Sequence, residues 1–176
     1  RSSDLVNIIS QKWDMSQFIN DEVDVSAAMV YNELLYLYEQ GYKEEDLQIF
    51  SFEALGVGFP GQNIFTSKSY YRQNPEICRA FVGASIAGWR YAIEHPEEAV
   101  DIVMEYDAEK ILDREHQMKQ MYAMVKLVAA DRYPLGYNRL EDYQFIERLF
   151  KKHQIIPADM VIENSFTNEF IIFEEE

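Results

Sequence analysis

The stretch Val23 to Glu33, V-D-V-S-A-A-M-V-Y-N-E, decides the expected fold. Its alternating apolar residues predict a half-buried strand, because side chains two positions apart lie on the same face. Residues at helical spacing follow at once, so Tyr31, Asn32 and Glu33 lie where a strand is expected to give way to a helix. Open α/β sheets bind ligands at the carboxyl ends of their strands, beside helix starts. The stretch therefore predicts an α/β fold and a ligand site at its polar end.

Three further strands are predicted from short apolar runs, at residues 5–9, 47–52 and 63–66. Two helices are expected between the first three strands. One runs from about residue 15 to 20 with Asp14 as its N-cap, and the other runs from about residue 32 to 40 and ends before Gly41. Strands and helices in alternation are typical of a parallel α/β unit.

The segment Ala54 to Gly61, A-L-G-V-G-F-P-G, interrupts this alternation. It holds Gly56, Gly58 and Gly61 together with a proline, and no regular element accommodates that composition easily. The segment is either a crossover that acts as a hinge or a plain surface loop. Composition alone leaves both interpretations open.

From Asn74 onward the sequence predicts mainly helices. Pro75 suits the first helical position, and the helix is expected to stop at His95, because a proline disfavours helical backbone in the residue before it. Small residues along this helix leave room for another element to approach closely. Three more helices and an extended strap are predicted after it, at residues 96–106, 114–130, 140–153 and 158–173.

The composition limits the functional classes. The chain of 176 residues is 48% hydrophobic, which is typical of a packed globular protein, and its net charge of −15 argues against binding to nucleic acid or to an anionic membrane surface. No apolar run reaches the length of a membrane span, and no signal peptide is recognisable. Because the chain begins with Arg1, we expect it to be processed or cut from a longer protein.

Metal and cofactor sites are not expected. The three histidines, His95, His116 and His153, are far apart, and none has a second ligand four positions away. Phosphate-binding loops and nucleophile motifs are absent from the sequence. Cys78 is the single cysteine, so neither a disulfide within the chain nor a cysteine metal cluster can form.

Two kinds of residue remain as candidates for ligand contact. Aromatic side chains at loops or strand ends, including Trp13, Tyr31 and Phe59, can line a cleft, although each also fits the edge of a core. Glu33, in the first turn of a helix, either complements the helix dipole or accepts a hydrogen bond from a ligand amine. The residues alone do not decide between these roles.

Several motifs together resemble one family. They are the strand into Y-N-E, the crossover G-V-G-F-P-G-Q-N-I-F-T-S, the helix junction G-W-R-Y-A-I-E-H-P-E-E-A at residues 88–99, and a late I-I-P-A-D. They are similar to motifs of periplasmic substrate-binding proteins of the thiamine-precursor-binding type. Relatives of these proteins include thiamine-pyrimidine synthases and sensor regions of membrane signalling proteins. The resemblance covers residues 6–158, and the helix junction is its most specific part.

The resemblance implies a partial α/β fold of the periplasmic-binding-protein type II class, with a helix-rich C-terminal half. On that scheme residues 1–54 belong to the second lobe, residues 55–62 form the crossover or hinge, and residues 63–176 complete the first lobe. The first half of the family pattern would precede Arg1. The chain would then be the C-terminal part, and the facing wall of the cleft would lie on another segment or another copy.

The resemblance also implies a function. It implies a non-catalytic receptor that closes on a small organic, aminopyrimidine-like ligand through Tyr31, Asn32 and Glu33, with Phe59 and Trp13 as weaker contacts. Its partner would be an ABC-transporter permease or a fused signalling domain, and its location would be periplasmic or extracytoplasmic. One alternative is the ligand-sensing domain of a membrane histidine kinase or diguanylate cyclase. Another is a pyrimidine-precursor biosynthetic enzyme, against which the single cysteine on a scaffold helix argues.

Overall fold

The computed structural model describes residues 5–128 and 133–171. The α-helices in this part of the chain are α1 Ser16–Ile19, α2 Glu33–Glu39, α3 Lys68–Gln73, α4 Pro75–Glu94, α5 Pro96–Glu105, α6 Arg114–Val128 and α7 Leu140–Lys152. Short 3-10 helices lie at Glu44–Asp46 and Glu163–Ser165. The end of the helix predicted for residues 114–130, and the end of the strap predicted for residues 158–173, fall outside the described residues.

The expected α/β fold of the periplasmic-binding-protein type II class is wrong, because the described residues contain no β-strand. The predicted strands are instead turns or backbone without a hydrogen-bonded ladder, at residues 5–9, 23–31, 47–52 and 63–66. An alternating pattern favours extended backbone, but a strand also needs a neighbour that bonds its N–H and C=O groups. Apolar residues of these segments stay exposed, as Leu5 and Ile8 do at 89% each.

The predicted helices are confirmed where local signals specify their ends. Gly41 follows α2 with φ +97°, and the Tyr42 N–H donates to the Leu37 carbonyl at 3.1 Å, as in a Schellman motif. α6 begins after Asp113, whose carboxylate accepts the N–H of His116 at 2.8 Å. Each end is fixed by residues within a few positions of it, which is why the sequence is sufficient to place it.

The first compact unit comprises residues 1–48 and 96–125. It contains α1, α2, α5 and most of α6. Its buried apolar side chains, among the residues described, are Met15, Leu37 and Val100. They belong to α2, α5 and the residue before α1, so the buried apolar surface of this unit is small and comes from separate helices.

The second compact unit comprises residues 49–95 and 126–176 and contains α3, α4 and α7. Its buried apolar side chain in the described part is Phe170, whose ring centroid lies 5.9 Å from that of Tyr71 and 4.9 Å from the guanidinium carbon of Arg79. The segment around Phe170 therefore packs on α3 and α4. None of the described helices is both long and apolar enough to cross a membrane. The division into lobes at residues 55–62 stays a prediction.

Candidate functional site

A cleft of about 300 Å³ lies in the first unit and holds two of the predicted contact residues. Two loop segments and the first residue of α2 form it, and its lining residues are Gln11, Lys12, Trp13, Ala27, Ala28, Met29 and Glu33. Trp13 and Glu33 were predicted separately, one from an aromatic loop position and one from a helix start. The lining residues thus include an aromatic residue, a carboxylate residue, a lysine and a glutamine.

The side chain of Gln11 holds the two loop segments together. It donates from Nε2 to the Ala27 carbonyl at 2.8 Å, and its Oε1 accepts the Ala27 N–H at 2.9 Å. A neighbouring strand would bond residue 27 in the same way, so a side chain takes the place of a backbone partner. The next residue, Lys12, donates its N–H to Oε1 of the buried Gln17 at 2.8 Å. One wall of the cleft is therefore attached both to the Ala27 segment and to α1.

Glu33 begins α2 with one carboxylate oxygen already engaged. Its Oε2 accepts the Met29 N–H at 2.9 Å, and the Met29 carbonyl accepts the N–H groups of Asn32 and Leu34, both at 3.2 Å. The turn before α2 is thus closed by bonds to both backbone groups of Met29. Among the residues that the structure describes, Oε1 of Glu33 accepts no protein hydrogen bond. That oxygen is the acceptor left for a ligand.

Trp13 offers an open aromatic face. The residue is fully exposed, at 103% of its reference surface, so a planar ligand can stack on it without displacing a protein contact. A stacked aromatic pair contributes roughly 0.5–1.5 kcal/mol beyond the burial of area. The neighbouring Lys12 ammonium lies 3.9 Å from the Glu22 carboxylate, an exposed pair of the kind that contributes little to stability. Its charge is therefore available to an anionic or carbonyl group of a ligand.

Two other predicted contacts lie beside the cleft without lining it. Tyr31 and Asn32 belong to the turn before α2, and neither is among the lining residues. Asn32 occupies the N-cap position of α2, yet its side chain makes no capping bond to the helix. Its Oδ1 lies 3.0 Å from Nε2 of His116 in α6 instead. A direct ligand contact by Tyr31 or Asn32 stays a prediction.

Phe59 lies in the second unit and packs against α7. Its ring centroid is 5.6 Å from that of Phe150, in an edge-on arrangement, and 6.4 Å from that of Phe145. These contacts give the ring a packing role at the edge of a core, which was one of the two interpretations of its position. A ligand contact by Phe59 stays a prediction.

Two of the three predicted hinge glycines have a local structural reason. Gly56 has φ +70°, where a side chain costs free energy, and a Cβ atom at Gly58 would lie 3.1 Å from the Cα of Glu53. Gly61 has neither a positive φ nor a close neighbour. Gly56 and Gly58 are therefore explained by the turn that contains them, and the hinge role stays a prediction.

His116 joins α6 to α2 through contacts that the sequence did not predict. Its Nδ1 lies 2.9 Å from Oε2 of Glu39, and the ammonium of Lys119 lies 3.1 Å from the other oxygen of the same carboxylate. Burial acts to raise the pKa of Glu39, but the hydrogen bonds from His116 and Lys119 outweigh it and lower the pKa. Glu39 stays ionised and ties α6 to α2. Because 77 positions separate Glu39 from His116, no local signal marks this contact.

A larger cleft of about 490 Å³ lies beside α4 in the second unit. It follows the small residues Gly83 and Ala87 of that helix and is bordered by Leu135 and Phe170. None of the predicted contact residues lines it. The smaller cleft is therefore the candidate site.

Comparisons with known proteins identify the family. The family model described as NMT1/THI5 like matches residues 2–99, more than half of the chain. The riboflavin-binding protein RibY of Chloroflexus aurantiacus is 26% identical over an alignment of 162 residues, which covers 87% of this chain and 44% of that relative. The chain thus spans less than half of the relative's length, and no solved structure matches it. As the motifs at residues 56–67 and 88–99 predicted, the chain belongs to the NMT1/THI5-like family.

Proposed function

We propose that the chain is part of a solute-binding protein whose cleft around Trp13 and Glu33 takes a small, planar, nitrogen-containing organic molecule. The observation that carries the proposal is the open indole and the carboxylate oxygen in one cleft of about 300 Å³. A flat heteroaromatic ligand would stack on the indole and donate an N–H to Oε1 of Glu33. The volume is at the lower end of the range of about 300–1,000 Å³ for small-molecule sites.

Two comparisons support this class of ligand. The chain belongs to the NMT1/THI5-like family, and one relative is named for binding riboflavin. Riboflavin has a flat heteroaromatic ring with an imide N–H, and an aminopyrimidine has a flat ring with an amino group. Both combine a π-face with a hydrogen-bond donor, which is the chemistry that Trp13 and Glu33 would recognise. The experiment below distinguishes the two ligands.

In this proposal the protein binds and releases its ligand unchanged and serves as the extracytoplasmic receptor of an ABC importer. Residues 55–62 are the hinge, because closure needs a short segment that absorbs the change in backbone dihedral angles. The three glycines of this segment support the assignment, because a glycine backbone accepts a wider range of dihedral angles than that of other residues.

Titration with riboflavin and with 4-amino-2-methylpyrimidine tests the proposal. In a Trp89→Phe background Trp13 is the remaining tryptophan, so quenching of its emission reports binding at the cleft. We expect saturable quenching by at least one of the two compounds. Glu33→Gln should weaken that binding roughly tenfold, because it replaces a charge-assisted hydrogen bond by a neutral one.

Glu45→Gln is the matched control, because Glu45 is a carboxylate in the exposed 3-10 helix Glu44–Asp46, away from the lining of the cleft. This variant should bind as the parent protein does. The proposal is wrong if neither compound quenches Trp13 saturably, or if Glu33→Gln and Glu45→Gln bind with equal affinity.

A further inference from the structure

The helix α4, which the structure describes from end to end, has two apolar faces. One face is half-buried and includes Cys78, Val82 and Trp89. The other face, called the open face, is exposed along its length and consists of Ile77, Ala80, Phe81, Ala84, Gly88 and Tyr91. Ile77 is 55% exposed, Phe81 61% and Tyr91 43%. A helix that is apolar on more than one face is normally buried on each of them, so the open face is suited to contact with another polypeptide.

The residues of the open face are arranged symmetrically by size about Ala84. Ala80 and Gly88 are each four positions from it, and Ile77 and Tyr91 are each seven positions from it. Two copies of α4 that run in opposite directions and cross at Ala84 therefore bring small residues against small ones and Ile77 against Tyr91. Phe81 of one copy then fits between Ala84 and Gly88 of the second copy. Helices in the same direction would instead set each Phe81 against the other.

The charges beside the open face fit the antiparallel direction as well. Glu76 precedes Ala84 by eight positions, and Arg90 follows it by six, so Glu76 of one copy comes near Arg90 of the second copy. In a parallel pair the two Glu76 carboxylates would face each other instead, and so would the two Arg90 guanidinium groups. The side chain of Glu76 is 83% exposed and lies 3.7 Å from Arg79 of its own helix, a surface pair that leaves it accessible. Charge complementarity therefore favours the antiparallel pair.

We propose that the open face of α4 binds a second copy of this chain, in an antiparallel pair with Ala84 at the two-fold axis. The small residues at the centre allow the helix axes to approach to about 8 Å. A contact of one helix with another falls below the area of about 1,200 Å² that stable interfaces reach, so the dimer dissociates in the micromolar range. Each copy also carries a net charge of −15, so repulsion opposes the pairing and salt strengthens it by screening.

Sedimentation equilibrium of the 176-residue chain measures the association, at about 1–200 μM protein and about 0.15 M salt. We expect the average mass to rise with concentration from 20.7 kDa toward twice that value. Ala84→Glu sets two carboxylates against each other at the axis, so the dissociation constant should rise roughly a hundredfold. Gly83→Glu is the matched control, because it adds the same side chain about 100° round the helix, where an added Cβ meets nothing within 4 Å. This control should associate as the parent protein does.

Cysteine crosslinking tests the direction of the pair. In a Cys78→Ser background, which removes the single cysteine, Ala84→Cys should form a disulfide-linked dimer in oxidised glutathione, because the axis brings both copies of residue 84 together. An equal mixture of Ala80→Cys and Gly88→Cys should form mainly the mixed disulfide, which mass spectrometry distinguishes from the two symmetric ones. A parallel pair would form mainly the symmetric disulfides.

Three results would overturn the inference. The first is a parent protein that stays monomeric at every concentration, which would mean that a different polypeptide covers the open face. The second is equal association of Ala84→Glu and Gly83→Glu, and the third is a predominance of the symmetric disulfides. None of these measurements depends on the ligand of the cleft around Trp13 and Glu33, so the dimer and the proposed function are tested separately.

Discussion

Gln11 bonds both backbone groups of Ala27 with the two ends of its side-chain amide, at 2.8 and 2.9 Å, across 16 positions of sequence. Gln11→Ala leaves these groups to solvent, so we expect the Ala27 amide hydrogen to exchange with solvent roughly tenfold faster and the protein to lose about 1 kcal/mol of stability. Gln11→Glu keeps an acceptor for the Ala27 N–H, so the Ala27 amide hydrogen should exchange slowly in this variant. Equal exchange in all three proteins would contradict the pairing.

Two glycine substitutions, one just after α2 and one inside α4, should change the free energy of unfolding in opposite directions. Gly41→Ala places a side chain at φ +97° and should lower the free energy of unfolding by about 1 kcal/mol. Gly88→Ala, inside α4 where an added Cβ meets nothing within 4 Å, should raise it by about 0.5–1 kcal/mol through helix propensity. Urea unfolding measures both changes. The Schellman motif is excluded if the two variants shift the midpoint in the same direction.

Acid should lower the free energy of unfolding partly by protonating Glu39. Its pKa in the folded protein lies below the ordinary value of 4.5, so the unfolded chain takes up a proton first as the pH falls. The stabilising contribution of Glu39 is complete above its unfolded-state pKa and is lost as the pH falls through its folded-state pKa. Glu39→Gln removes this contribution, so its stability should depend less on pH in this acidic range. Unfolding in urea below about pH 5 measures the slope.

The exposed Glu45 supplies the control for this prediction. Its ion pair with Lys43 is 3.8 Å long and both side chains are more than 70% exposed, so Glu45→Gln should retain the acid slope of the parent protein. A slope in Glu39→Gln as steep as in Glu45→Gln would rule out the role of Glu39.

The C-terminal segment should open when its hydrogen bond to α3 is removed. The hydroxyl of Tyr71 donates to the carboxylate of Glu169, and Arg79 lies 4.0 Å from the same carboxylate. Tyr71→Phe should speed chymotryptic cleavage near Phe170 several-fold, because the buried ring becomes accessible more often. Tyr70→Phe, one position earlier in the same helix, should be cleaved at the rate of the parent protein. Equal rates for Tyr71→Phe and Tyr70→Phe would exclude the bond as an anchor.

The helices were predictable because their signals are local. Pro75 opens α4, and the proline after His95 separates α4 from α5 at the predicted residue. The lack of strands in the described residues was not predictable, because alternation specifies an extended backbone while pairing depends on a second segment. The Val23–Glu33 stretch shows this difference, since at Ala27 the partner is a glutamine side chain.

The candidate site was predicted in parts. Trp13 and Glu33 followed from residue type and position, and they meet in one cleft because Gln11 draws their two segments together. The contact of Asn32 with His116 spans 84 positions, so no spacing rule reaches it. Asparagine is favoured at the N-cap position, and only the structure shows that the side chain of Asn32 makes no capping bond.

The two contacts of His116 fix the length of α2. Asn32 and Glu39 are seven positions apart, close to two helical turns, and therefore lie on one side of the helix. Inserting or deleting a single residue between them would rotate Glu39 by about 100° relative to Asn32, so one ring could no longer reach both. Related sequences that keep this pairing should vary freely in the loops around α2 and accept no change in the number of residues within it.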